Sequence, residues 1–218
     1  MSKIRVLIVD DHPFFRKGLM EWLKQQESVT FCGEAGSVAE ARAAIAGAQP
    51  DVVLMDLRLE DGEGLELIRE LAPEYPQARI VALSQFDEDI YAHRALLAGA
   101  RGYVMKSEAT ESVLAAIKTV MEGRIHLSPR MAGRLVDNLF PAATSEPGGL
   151  VGLSDRELGV FQLLGAGHST SGIAERLKIS PKTVETYRQR LKEKLGLADG
   201  ASLLRAAALW AASGRLDH

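Results

Sequence analysis

Four short apolar runs, IRVLIV (4–9), DVVLM (51–55), RIVAL (79–83) and GYVM (102–105), recur along the first half of the chain, and none alternates cleanly with polar residues. Such runs suit strands buried on both faces, as in a parallel sheet. Helical patterns fall between them at FFRKGLMEWLKQQ (14–26), SVAEARAAIAGA (37–48) and EGLELIRELA (63–72), and VTFCGEAG (29–36) marks a weaker strand. Strict alternation of β and α predicts a doubly wound α/β domain built on a five-stranded parallel sheet. In such sheets ligands bind outside the carboxyl ends of the strands, where the strand order reverses.

That edge is where the polar residues gather. Asp10 and Asp11 follow the first run, Asp56 the second, Ser84 the third and Lys106 the fourth. Three carboxylates crowded together repel one another, and a hard divalent cation with oxygen ligands, most simply Mg²⁺, relieves that repulsion. One carboxylate can then act as a nucleophile toward a phosphoryl group. A lysine and a hydroxyl beside it are the types that neutralise and hydrogen-bond phosphoryl oxygens. His12 and His93 read as packing residues, since neither has a ligand partner at metal spacing.

Beyond residue 140 the pattern changes. FPAATSEPGGLVG (140–152) has the composition of an exposed linker, and SPRMAGRLVDNLF (128–140) ahead of it predicts a short helix opening at Ser then Pro. We expect domains at 1–125 and 150–218, joined by 126–149. LSDRELGVFQLLGAG (153–167) carries Ser154 and Glu157 at capping-box spacing. STSGIAERLKI follows, then a helix from Ser180 to Leu195 that is stopped by Gly196, and SLLRAAALWAA (202–212) completes an all-α unit.

Composition sharpens this division. Residues 1–140 hold 16 Lys+Arg against 21 Asp+Glu and residues 141–218 hold 10 against 8, so the whole-chain charge of −3 hides an acidic half and a basic one. With 46% hydrophobic residues among 218 the chain can bury ordinary cores. Its single cysteine, Cys32, cannot form an internal disulfide and reads as a small apolar residue. No stretch reaches the length of a membrane span, and the opening MSKIRVLIVDDHP meets two acids too early for a signal peptide; a soluble cytoplasmic protein is expected.

In the helix from Ser180, Val184, Tyr187, Leu191 and Leu195 recur at spacings of three or four and should face a core. Lys182, Glu185, Thr186, Gln189 and Glu193 fall on the opposite side, with Arg188, Arg190, Lys192 and Lys194 along the flanks. Basic flanks around a hydrogen-bonding face suit the major groove of DNA, phosphates outside and base edges at the centre.

Two resemblances follow from these residues. DDHP after the first strand, LMDLRL around Asp56, ALS ending at Ser84 and GARGYVMK ending at Lys106 resemble the receiver domain of bacterial response regulators over roughly residues 3–125. LSDREL with GHSTSGIAERLKISPKTVETYRQRLKEKLGL resembles the LuxR-type helix-turn-helix of the NarL/FixJ class over about 150–213. The receiver resemblance implies that Asp56 accepts a phosphoryl group from a sensor histidine kinase. It also implies that Asp10, Asp11, Asp56 and the backbone carbonyl of Arg58 hold Mg²⁺, that Lys106 pairs with the phosphoryl oxygens, and that Ser84 and Tyr103 form a switch pair. Arg58 and Phe86 are implied to flank the route of hydrolytic water. The second resemblance implies operator binding to double-stranded DNA by a homodimer formed on phosphorylation. Thr186 and Gln189 would meet bases, and Lys182, Thr183 and Arg188 or Lys192 the backbone.

Three positions depart from the family pattern: Glu60 where proline is common, Glu185 where lysine is frequent and Tyr187 where histidine is frequent. Glu185 could accept from a cytosine amino group or reduce nonspecific affinity. Gly62 and Gly64 are expected to supply a flexible turn after the acceptor. Leu203, Leu204, Ala207, Leu209 and Trp210 fit both a dimerisation helix and local core. Two other classes remain: an aspartyl-phosphate phosphatase or phosphotransferase, which would place its nucleophile in a DxD pattern where this chain has Asp10 and Asp11 adjacent, and a pseudo-receiver that binds DNA without phosphorylation.

Overall fold

A computed structural model describes residues 3–85, 88–108, 110–133 and 150–213, in two compact units divided between Phe140 and Pro141. In the first unit, β1 (Ile4–Val9), β2 (Val29–Ala35), β3 (Val52–Asp56), β6 (Arg79–Ser84) and β7 (Gly102–Met105) form one parallel sheet in the order β2-β1-β3-β6-β7. β4 (Arg58–Leu59) and β5 (Gly62–Glu63) make a separate antiparallel pair. The helices are α1 (Pro13–Lys24), α2 (Val38–Ala48), α3 (Gly64–Glu74), α4 (Glu88–Ala98) and α5 (Thr110–Met121), and residues 129–133 are also helical (α6).

The central strands are buried on both faces. Val6 to Val9, all of β3, and Ile80 to Ser84 are at most 3% exposed. Alternate residues turn opposite ways. Val6, Ile8, Leu54, Val81, Leu83 and Val104 share one cluster with Leu19 and Leu23 of α1 and Val113, Ala116, Ile117 and Val120 of α5. Each fully buried leucine there stabilises the fold by about 1.5–3 kcal/mol. On the other face α2, α3 and α4 contact the sheet, which makes the fold doubly wound. Register runs straight except at β1–β2, where Val6 faces Phe31 and Leu7 faces Gly33; Cys32 is the residue left over at that bulge, half-buried.

Two local features depart from the pattern-based expectation. α3 continues through Pro73 to Glu74 instead of stopping at residue 72, because the proline falls in the last turn and the Tyr75 amide still closes on Leu71 O at 2.8 Å. Residues beyond 125 also pack on this unit. Gly102 bridges to His126, the Tyr103 amide donates to His126 O at 3.0 Å, and Met131 is 2% exposed. Arg130 pairs with Asp89 and stands 3.8 Å from Glu88 at the start of α4. The remainder of the expected 128–140 helix, and the linker as far as residue 149, lie outside the described residues.

The second unit opens with a 3-10 turn (Leu150–Gly152), followed by α7 (Asp155–Gly165), α8 (Thr170–Arg176), α9 (Pro181–Lys194) and α10 (Gly200–Ser213). Serines cap three of them: Ser154, Ser169 and Ser180 accept from the amides of Glu157, Gly172 and Thr183. Its core joins Leu158, Phe161, Ile173, Val184, Leu191, Leu203 and Ala207. α7 and α10 cross closely at Gly165, where a Cβ would collide with the carbonyl of Ala207. Of the α10 residues that fitted two roles, Leu203 and Ala207 are core, whereas Leu204 and Leu209 are 42% and 71% exposed.

Candidate functional site

The topological switch of the sheet lies between β1 and β3, and the loops leaving those strands carry the acids. Asp10 is fully buried and Asp56 is 3% exposed. Lys106, delivered by β7, reaches both: its Nζ lies 2.6 Å from Asp56 Oδ2 and 2.7 Å from Asp10 Oδ2. Its ammonium also stands 4.8 Å from the centre of the Phe15 ring. Burial is the largest influence on Asp56 and pushes its pKa up; the Lys106 charge and hydrogen bond oppose this, Asp10 adds to it, and the Arg58 amide at 3.2 Å opposes it weakly. Ser84 is fully buried at the end of β6, and its carbonyl accepts from the Lys106 amide at 2.7 Å. Tyr103, 3% exposed, already lies inside.

His12 belongs to the cluster, contrary to its reading as a packing residue without ligand partners. It occupies the N-cap position of α1 yet its side chain caps nothing; Nδ1 lies 2.6 Å from Asp11 Oδ1 and 3.4 Å from Asp10 Oδ1. One ligand atom from each of Asp10, Asp11, His12 and Asp56 falls within 4.8 Å of all the others. Asp10 Oδ2 and Asp11 Oδ1 are buried and accept no hydrogen bond of proper geometry among the described residues, although each has a cationic or imidazole nitrogen close by. Carboxylate oxygens left in that condition fit a divalent cation.

The loop after Asp56 is built by close approach. Neither Gly62 nor Gly64 has positive φ, so neither is needed for a left-handed turn. A Cβ at Gly64 would collide with the carbonyl of Asp56 and stand 2.8 Å from Leu57 Cα, and one at Gly62 would stand 2.9 Å from Val38 Cγ2. Asp61, next to Glu60, accepts from the Val38 amide at 2.8 Å and so ties the loop to the first turn of α2. Arg16, not singled out by its residue pattern, donates to the Asp10 carbonyl and pairs with Glu34 at 3.2 Å. Phe86 lies outside the described residues.

In the second unit, Lys182, Glu185, Thr186, Gln189 and Arg190 of α9 are exposed, while Val184 and Leu191 are buried and Tyr187 and Leu195 half-buried. Thr183 turns back to its cap, with Oγ1 2.7 Å from Ser180 Oγ. The Gln189 amide nitrogen donates to Glu193 at 2.8 Å. Lys192 is half-buried. Lys194 does not project along a flank: it pairs with the buried Glu157 at 2.7 Å, pinning the end of α9 to the start of α7. Burial works to raise the Glu157 pKa, but the Lys194 and Ser154 contacts outweigh it and hold it below its usual value. Arg188 also turns inward, to Thr170 and Glu185.

Comparison with known proteins covers both units. Residues 6–118 match the response regulator receiver domain, and residues 151–207 match the bacterial regulatory proteins of the luxR family. The chain is 40% identical to the DNA-binding transcriptional activator DevR/DosR of Mycobacterium tuberculosis over 89% of each protein. It is 34% identical to the oxygen regulatory protein NreC of Staphylococcus aureus, over 92% of this chain and 95% of that one. Among solved structures, the response regulator ChrA of a heme-sensing two-component system is 29% identical with a TM-score of 0.53, covering 96% of this chain and 98% of that one. RcsB of Salmonella enterica, bound to promoter DNA with a phosphomimetic, shares the fold at a TM-score of 0.69 and 23% identity, over 95% and 99% of the two chains.

Proposed function

The chain belongs to the LuxR-type response regulators, DNA-binding transcriptional regulators of two-component systems, and from that premise we propose that Asp56 is its phosphoryl acceptor and α9 its recognition helix. The observation that carries the first half is the sharing of one ammonium, on Lys106, by two buried carboxylates within 4.8 Å of a third. A carboxylate so placed is desolvated, stands at the carboxyl edge of the sheet where ligands bind, and is flanked by a cation able to follow the incoming charge.

Asp56 Oδ attacks the phosphorus of a phosphohistidine on a sensor kinase; the P–N bond breaks, the P–O bond forms, and the electron pair leaves with the imidazole, which takes a proton. Asp10, Asp11, Asp56 and the Arg58 carbonyl would hold Mg²⁺. When bound, that ion supplies charge neutralisation for the phosphoryl oxygens. Lys106 releases Asp10 and pairs with the phosphoryl group, and Ser84 donates its hydroxyl to it. Tyr103, already inside, stabilises the position that Ser84 adopts. The new charge biases β6, β7 and α4, and the outcome is a homodimer whose α9 helices enter successive major grooves of operator DNA.

We assign the receiver to 1–125, the linker to 126–149, its first residues lying on the receiver, and the output domain to 150–218. Among the described residues no helix is long and apolar enough to cross a membrane; the protein works in the cytoplasm, on double-stranded DNA. Incubation with acetyl phosphate and Mg²⁺ should add one phosphoryl group to the full chain, raise its dimer fraction and tighten operator binding, all three lost in Asp56→Asn. Undiminished labelling of that variant overturns the acceptor assignment. Labelling without change in dimerisation or DNA affinity overturns the coupling.

A further inference from the structure

Glu185 is an acid on a helix face that would meet a polyanion. A bare carboxylate there is repelled by phosphates, and its presence calls for a physical reason. It is not bare. Oε1 accepts from the Thr170 hydroxyl at 2.9 Å and from Arg188 Nη1 at 2.9 Å, and Arg188 Nη1 lies 3.1 Å from Thr170 Oγ1, so the three close a triangle between the first turn of α8 and the middle of α9. Arg188 is only 23% exposed, with its other terminal nitrogen beside Gly200 at the start of α10. The guanidinium therefore ties α9 to α8, stands beside the start of α10 and neutralises the acid. Among the described residues no hydrogen bond reaches Oε2 of Glu185, and the side chain is 57% exposed.

We propose that Glu185 is a specificity residue whose carboxylate, held through Oε1 by Thr170 and Arg188, presents Oε2 to the exocyclic amino group of a cytosine in the major groove. The inference rests on α9 being the recognition helix. Glu185 is the fifth residue of α9, in the half of such a helix that meets base edges. Cytosine offers an amino donor with no acceptor beside it, whereas adenine sets N7 next to its amino group and guanine offers only acceptors, both of which repel a carboxylate. Thr170 and Arg188 are positioning residues. On this proposal Arg188 directs its charge to Glu185 in place of the backbone contact expected of Arg188 or Lys192.

The test is selection from a randomised duplex library by the phosphorylated full-length protein and by Glu185→Ala, Glu185→Gln, Thr170→Val, Arg188→Ala and Gln189→Ala. The wild type should enrich cytosine at one half-site position. Glu185→Ala should lose that preference by about tenfold while other positions hold. Glu185→Gln should move it to a base with an acceptor, because Thr170 and Arg188 retain the amide oxygen and turn the nitrogen outward. Thr170→Val should weaken the same position. Because Arg188→Ala alone bares the acid, it is read on the Glu185→Ala background, where it should leave the slope of log affinity against log salt unchanged; loss of a phosphate contact would lower it by about 0.9. Unaltered preference in Glu185→Ala or Thr170→Val, a uniform gain in affinity for all sequences, or a reduced slope on adding Arg188→Ala to Glu185→Ala overturns the proposal. If the wild type enriches no sequence and Gln189→Ala changes nothing, it is the recognition-helix reading itself that fails.

Discussion

Replacing Lys106 by Met removes the ammonium that Asp10 and Asp56 share while keeping a stem of similar length against Phe15. The acids of the pocket lie within 4.8 Å of one another, and two full charges at that separation repel by about 3.5 kcal/mol at an effective dielectric of about 20. That equals roughly 2.5 pH units of displaced titration. Burial already places the folded pKa of Asp56 above its unfolded value. The stability linked to its proton is therefore fully present below the unfolded pKa of about 3.9 and is lost as pH rises through the folded value. Lys106 limits that loss, and without it the folded pKa climbs and the loss extends to higher pH. Thermal unfolding of the receiver followed between pH 4 and 8 should show a small deficit for Lys106→Met at the acid end. The deficit should widen to about 3 kcal/mol near pH 8, or about 6–12 °C. Loss of the cation–π contact with Phe15 adds only an offset independent of pH. A deficit equal at pH 4.5 and pH 8 would falsify the shared-ammonium account.

Gly64→Ala should lower the melting temperature of the first unit by an amount matching about 1–3 kcal/mol or more, because the methyl meets the backbone of Asp56 and Leu57 rather than a yielding side chain. It should also slow acetyl-phosphate labelling, and an unchanged melting temperature would show that the loop has room. Glu157→Gln should destabilise the second unit by about 1–3 kcal/mol at pH 7 by breaking the Lys194 pair and weakening the capping box. Since the folded pKa of Glu157 is depressed, its contribution is present above the unfolded value and lost as pH falls through the folded one. Calorimetry of wild type and variant should converge in acid, and a gap that grows there would refute the pairing.

The parallel sheet could be read from the chain because residues 6–9, 52–55 and 80–83 are wet on neither face and so form unbroken apolar runs. α4 gave no comparable signal. Glu88, Ile90, Tyr91, Ala92, Arg94, Ala95 and Ala98 are all buried while Leu97 is 73% exposed, so no single apolar stripe marks it. Among site residues, the acids and Lys106 were legible from their place after strands, since topology alone brings those ends together. His12 was not, because it stands at the N-cap of α1, and nothing in the residue pattern tells that its imidazole turns onto Asp11 and Asp10 instead of capping the helix. The glycines after Asp56 looked like turn formers, and only the three-dimensional contact reveals that they make space. Lys194 and Arg188 had the spacing of flanking charges, but their partners, Glu157 and Thr170, come from other helices.

The tie between Asp61 and the first turn of α2 gives the pocket a handedness in its mechanics. On that flank the loop is held to α2 twice, by Asp61 to the Val38 amide and by Gly62 against the Val38 side chain, and it is closed on itself by the Gly64 amide to Leu57 O at 2.9 Å. On the reading of Asp56 as the acceptor, a displacement that begins there would meet a fastened wall on the α2 side. It would then be steered across the sheet toward Ser84 and the start of α4, where Arg130 clasps Asp89. Such a fold would act as a one-sided hinge, with the direction of a signal set by where the loop is stitched down.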